Sequence, residues 1–173
     1  MKAWPIRTAA MGLAIVALVA GCRDSKDTER YALDGKLVVF NYRVATARFL
    51  VNLKHLRTPG EGEVAVASFE NPAGGDAIEV REKIWPATDK TTLTTPPLRC
   101  IVKDHPYKIA IKIEDSAGQP VQTIDTTVTS SEDQTLLPDK PLVVGPFYTP
   151  NPEMKGRSVA EQAAASREDC PNF

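Results

Sequence analysis

The sequence predicts a mainly β protein: an antiparallel two-sheet sandwich followed by a short C-terminal helix. Three observations carry this. Apolar and polar residues alternate with a period of two through much of the stretch from Leu37 to Val128. Fourteen prolines, most of them from Pro86 onward, interrupt any long helical pattern. The composition, 42% hydrophobic and 25% charged, is that of a globular chain, and 173 residues suit one domain with tails.

The first segment is of a different kind. Lys2 and Arg7 precede Thr8 to Gly21, which carries no charge. As a helix these 14 residues would span about 21 Å, against the roughly 30 Å of a bilayer's hydrocarbon core. A basic start and a short apolar run are the pattern of a secretory signal. The run ends in Val19-Ala20-Gly21-Cys22, which resembles the lipobox of bacterial lipoproteins, with Val where Leu is commoner. The resemblance covers residues 1–22 and implies cleavage before Cys22, lipidation of its thiol and acylation of its new amino group. Loss of Lys2 and Arg7 takes the net charge from -1 to -3, so the lipid would anchor the chain without a polybasic patch. In enterobacterial lipoproteins, Asp directly after the cysteine favours the inner membrane. Here Arg23 stands first and Asp24 second, so the resemblance implies a periplasm-facing anchor at the outer membrane.

Residues 22–33 read as a solvated, flexible tether, because Arg23 to Arg30 contains no apolar residue to bury. The sandwich is expected over 34–148. Within it, Lys36 to Tyr42 and Arg48 to Leu53 are rich in strand formers. Glu63 to Glu70 runs into Asn71-Pro72-Ala73-Gly74-Gly75-Asp76, a turn. Ala77 to Trp85 alternates, with Glu82 interrupting its apolar side. Leu98, Cys100 and Val102 are expected to share a face of a strand before His105. In the clearest run, Tyr107, Ile109, Ile111 and Ile113 fall on one face, with Lys108, Ala110, Lys112 and Glu114 on the other. Asp115 to Pro120 then supplies a turn and Val121 to Thr129 the returning strand. Leu142 to Val144 suggests a last short strand.

The stretch from Leu98 through Tyr107 to Ile113, closed by Asp115 and Gly118, resembles the last strands of an immunoglobulin or fibronectin type III module. There a Tyr near the start of the penultimate strand hydrogen-bonds back to the chain, and Tyr107 matches that position. Transthyretin-like and jelly-roll sandwiches share the same strand pattern.

Residues 149–173 form a tail. Its prolines impose extended backbone first. Ser158-Val159-Ala160-Glu161 then fits a capping box for an Ala-rich helix to about Arg167. Two cysteines remain besides Cys22. In an oxidising compartment Cys100 and Cys170 are expected to pair, closing a 70-residue loop and stapling the tail to the domain.

Chemistry is sparse. His55 and His105 lie 50 residues apart with different flanks and read as surface residues. There is no P-loop, Rossmann fingerprint, HExxH or GxSxG elbow, and no Cys/His cluster for zinc. No cofactor, metal or catalytic residue is assigned, and no Lys/Arg stripe points to nucleic acid. Trp85, Phe147 and Tyr148 are the aromatic candidates for a partner site. The expected function is therefore a non-enzymatic binding or scaffold module on an envelope lipoprotein, an accessory subunit of an envelope assembly with a protein or glycan partner. The alternative is a periplasmic inhibitor or immunity protein that blocks an enzyme with loops 71–76 or 86–97.

Overall fold

The computed structural model describes residues 29–171 and 173. The signal stretch, Cys22 and most of the tether lie outside the described residues. Seven strands build two antiparallel sheets. β1 (Tyr31–Asn41), β2 (Thr46–His55) and β5 (Lys90–Thr94) form one sheet in the order β1-β2-β5. β3 (Val64–Phe69), β4 (Ile78–Lys83), β6 (Tyr107–Glu114) and β7 (Pro120–Val128) form the other in the order β4-β3-β6-β7. This is an immunoglobulin-like sandwich with the fourth strand on the second sheet, beside the third.

Side-chain alternation explains the layers. Ala47, Phe49, Val51 and Leu53 of β2 face Ala65, Ala67 and Phe69 of β3 and Tyr107, Ile109, Ile111 and Ile113 of β6 across one core. Lys108, Ala110 and Lys112, between the inward residues of β6, point to solvent, and Glu114 at its end is half-buried. Burying one large aliphatic side chain is worth about 1.5–3 kcal/mol, so a one-residue slip of β6 would cost several such contributions.

Three departures from the sequence reading have local causes. β1 begins at Tyr31, three residues before the expected boundary at 34, and bulges between Leu33 and Gly35. Gly35 takes a φ of 141° there, so Asp34-Gly35 is a kink within a strand rather than its edge. Residues 90–94, within the loop expected at 86–97, form β5, which pairs with β2 from Leu50↔Thr94 to Lys54↔Lys90. The strand expected at Leu98 to Val102 is instead irregular, with one bridge from Leu98 to Ala47. The left-handed backbone of Cys100, φ 66°, breaks the alternation.

Beyond β7 the chain makes a 3-10 turn (Gln134–Leu136), a small hairpin of β8 (Val143–Val144) and β9 (Thr149–Pro150), and α1 (Val159–Ser166). The capping box is present: the Ser158 hydroxyl accepts from the Glu161 N–H, and the Glu161 carboxylate accepts from the Ser158 N–H at 2.7 Å. Cys100 and Cys170 are joined in a disulfide. Ser166 donates to the Gln134 carbonyl at 3.2 Å, and Gln134 N–H to the Ile101 carbonyl at 2.7 Å. The tail helix is thus tied to the 3-10 turn through Ser166 and that turn to the core through Gln134, while the disulfide fixes the segment after the helix.

Candidate functional site

Strand register sorts the loops onto two poles. β1 enters beside the end of β2, Tyr31↔His55, and leaves beside its start, Asn41↔Thr46. The start of β3 and the end of β6 lie at the entry pole, because Val64 pairs with Glu114 and Glu63 is bonded to Arg30. Phe69↔Ile109 and Tyr107↔Val128 mark the opposite pole. The entry pole therefore carries the connections 56–63, 84–89 and 115–119. The far pole carries 42–45, 70–77, 95–106 and the chain after Val128.

The entry pole is tightly fixed. The Gln122 side-chain carbonyl on β7 accepts from the N–H groups of Arg30 and Tyr31 at 2.9 and 3.0 Å. Its amide donates back to the Tyr31 carbonyl at 2.8 Å. Glu63, nearly fully buried, pairs with Arg30 at 2.6 Å and accepts from the Tyr31 hydroxyl. Burial, reinforced by that carboxylate, pushes the Tyr31 hydroxyl pKa far up, so it is a donor at every physiological pH. His55 meets the Tyr31 ring edge-on at 5.4 Å. Its Nδ1 lies 2.8 Å from the Thr88 carbonyl and its Nε2 2.8 Å from the Thr91 hydroxyl. A carbonyl only accepts, so Nδ1 donates to Thr88, while the Thr91 hydroxyl, which can donate or accept, partners Nε2. Both ring nitrogens are occupied structurally. Trp85 stands at this pole, 53% exposed, with the Lys83 ammonium 4.0 Å from its ring centroid.

At the far pole the β8–β9 hairpin is tied to the β1–β2 connection. Leu142 N–H donates to the Arg43 carbonyl at 2.9 Å, and Asn151 N–H to the Leu142 carbonyl at 2.8 Å. The tip is Gly145-Pro146-Phe147-Tyr148. Tyr148 N–H closes the turn on the Gly145 carbonyl at 3.2 Å, and Thr149 donates to the Val144 carbonyl at 2.8 Å. Tyr148 holds a positive φ of 53°, unusual for a bulky residue. Arg43 lies 5.2 Å from its ring. Phe147 is 88% exposed and Tyr148 58%, with Tyr42 and Val144 exposed beside them. The three aromatic candidates are thus divided: Phe147 and Tyr148 share one tip, and Trp85 is at the other pole. The approach of Arg43 to the tip has no sequence signal, because it joins residues about a hundred positions apart.

Loop 71–76 lies at the far pole, and Gly74 approaches Pro171 next to the disulfide. With the outer face of the four-stranded sheet it borders an open cleft of about 750 Å³, lined in part by Ser68, Glu70, Lys108 and Asp125. Glu70 accepts from the Lys108 N–H at 2.9 Å, with His105 Nε2 3.5 Å away. These two contacts, the backbone N–H first, hold its carboxyl below the usual range. Among the described residues no three His, Cys, Asp or Glu gather closely enough to hold a metal ion. No helix among them is long and apolar enough to cross a membrane. No protein-family model matches the chain, and no curated protein matches it either.

Proposed function

We propose that the chain is an envelope lipoprotein, acylated at Cys22, whose sandwich is a non-enzymatic binding or scaffold module facing the periplasm from the outer membrane. The observation that carries this reading is the polarity of the module. The strand that follows Cys22 enters at one pole, and the exposed Phe147-Tyr148 tip lies at the other. Seven residues, Arg23 to Glu29, separate Cys22 from the clamped Arg30. Fully extended, the eight Cα–Cα steps from Cys22 to Arg30 reach about 29 Å. The 11 residues of β1 alone span about 36 Å. A tether shorter than the strand disfavours a module standing inverted with its aromatic tip against the membrane, and leaves that tip open to a partner. Exposed Tyr and Phe flanked by Arg form a contact surface suited to a protein or glycan partner in an envelope assembly.

A photoreactive phenylalanine in place of Phe147, in cells with an intact envelope, tests this. Adducts with a defined envelope component at 147, and none from a probe at Lys112 on the sheet face, are the expected result. Free module at both positions would contradict it.

The inhibitor reading draws on one observation, the position of loop 71–76 beside the disulfide-pinned tail at the same far pole. The segment 86–97 is split by β5 into two short pieces, which leaves 71–76 as the blocking segment. Inhibition of a periplasmic lytic enzyme, lost on replacing 71–76, would favour this reading over a scaffold.

A further inference from the structure

The geometry points to a second, weaker membrane contact: the entry pole seats on the lipid surface through Trp85, with Lys83, Leu56 and Pro86 around it. The inference rests on the lipid-anchor reading of Cys22. Its physical basis is the length of chain before the module and the place where that chain ends. The eight Cα–Cα steps from Cys22 to Arg30, at about 3.3–3.6 Å each, keep Arg30 within about 29 Å of the acylated cysteine. Arg30 is not free to swing, because Gln122 and Glu63 fix it to the second sheet. The pole that carries Trp85 is therefore the part of the module held nearest the bilayer.

The residues exposed there suit an interface. Trp85 is 53% and Leu56 46% exposed. Leu56 is placed by its N–H, which donates to the Arg30 carbonyl at 2.8 Å, so this apolar side chain adjoins the entry of the tether. Leu56 and Pro86 line one shallow cleft. The turn after Trp85 is closed by Thr88, whose N–H and hydroxyl both donate to the Trp85 carbonyl, at 3.1 and 2.9 Å. The indole is therefore presented by a fixed turn.

An indole prefers the headgroup level of a bilayer, where its ring meets acyl chains and its N–H meets water or phosphate. A lysine beside it extends its stem over apolar surface and delivers its ammonium to phosphate, and Lys83 already lies against the ring. Glu61 and Asp89 share this pole, so the contact is not that of a polybasic patch. Lipid phosphate and the interfacial hydrocarbon are its ligands, rather than net anionic charge.

Trp4 precedes the cleavage point, so Trp85 is the single tryptophan of residues 22–173. Its emission reports this pole alone. The full-length gene product extracted from membranes is reconstituted into phosphatidylethanolamine–phosphatidylglycerol vesicles containing lipid brominated on its acyl chains. The expected result is protein that floats with the vesicles, with Trp85 emission shifted to the blue, quenched by the bromines and protected from aqueous iodide. Floating protein whose Trp85 emits as in water, quenched by iodide and not by bromine, would overturn the membrane seat and leave the anchor intact. Protein without acyl chains that does not float would overturn the anchor itself, and the seat with it.

Discussion

The hydroxyl of Tyr107 accepts a hydrogen bond from the backbone N–H of Val102 at 2.7 Å, five residues back along the chain. The ring is buried at the start of β6 against Phe49, 5.2 Å away. Its hydroxyl thereby locks the irregular segment before β6 onto the core, which is the corner expected from the likeness to immunoglobulin-type modules. Tyr107→Phe keeps the ring and leaves the Val102 N–H without its partner. A loss of about 1–2 kcal/mol is expected, read as a lower urea midpoint with an unchanged slope. No loss of stability would show that solvent replaces the bond.

The disulfide is expected to be the largest single restraint on the tail. Closing a loop between residues separated by 70 positions is worth about 4 kcal/mol in the chain-entropy picture. Reduction, or Cys170→Ser, should lower the melting temperature by many degrees. It should also open the segment after Val128 to proteases while far-UV circular dichroism keeps its β signal. Equal protease resistance with and without reductant would mean that Ser166 and Gln134 suffice to dock the helix.

Glu63 links the two sheets at the entry pole. Glu63→Ala orphans the buried Tyr31 hydroxyl and removes the partner of Arg30, which is partly solvated and can turn to water. The cost is expected at about 2–4 kcal/mol. Tyr31→Phe, which removes one donor, should cost about half as much. In hydrogen exchange, both should release the amides of Arg30 and Tyr31 before those of β6.

Acid should destabilise the module through a small set of carboxylates. The pKa values of Asp34, Glu70, Glu153 and Glu161 are all lowered in the fold, by Lys90, the Lys108 N–H, Lys140 and the Ser158 N–H respectively. A group with a depressed folded pKa contributes stability above its unfolded pKa, and loses it as pH falls through the folded one. Denaturant midpoints should thus be flat near neutrality and fall below about pH 4. All four groups are largely solvated, so the fall should be gradual and weaker in high salt. A midpoint that rises on acidification would contradict these pairings.

The parts of the fold that were legible in the sequence are those where one face is buried and the other wet. β6 shows this plainly, since Ile109, Ile111 and Ile113 alternate with polar or small residues. β5 was hidden because Lys90-Thr91-Thr92-Leu93-Thr94 has one large apolar residue and prolines on both sides. Its second inward residue is Thr91, buried with its hydroxyl bonded to His55. Residues 98–102 are the converse case, because Leu98 and Cys100 mimic alternation without forming a strand. Their burial comes from the bridge to Ala47 and from the disulfide, and Ile101, directly after Cys100, is buried too. Of the candidate surface, the exposure of Phe147 and Tyr148 follows from a proline-rich setting. The polarity that separates them from Trp85 is a property of strand register, which no local pattern encodes.

The central claim is that Cys22 anchors the module by lipid, and the intact mass of the protein from solubilised membranes tests it most directly. The account predicts a chain lacking residues 1–21, carrying acyl chains on Cys22, and gaining the mass of two hydrogens when the Cys100–Cys170 bridge is reduced. An unlipidated chain that retains its first 21 residues would contradict it.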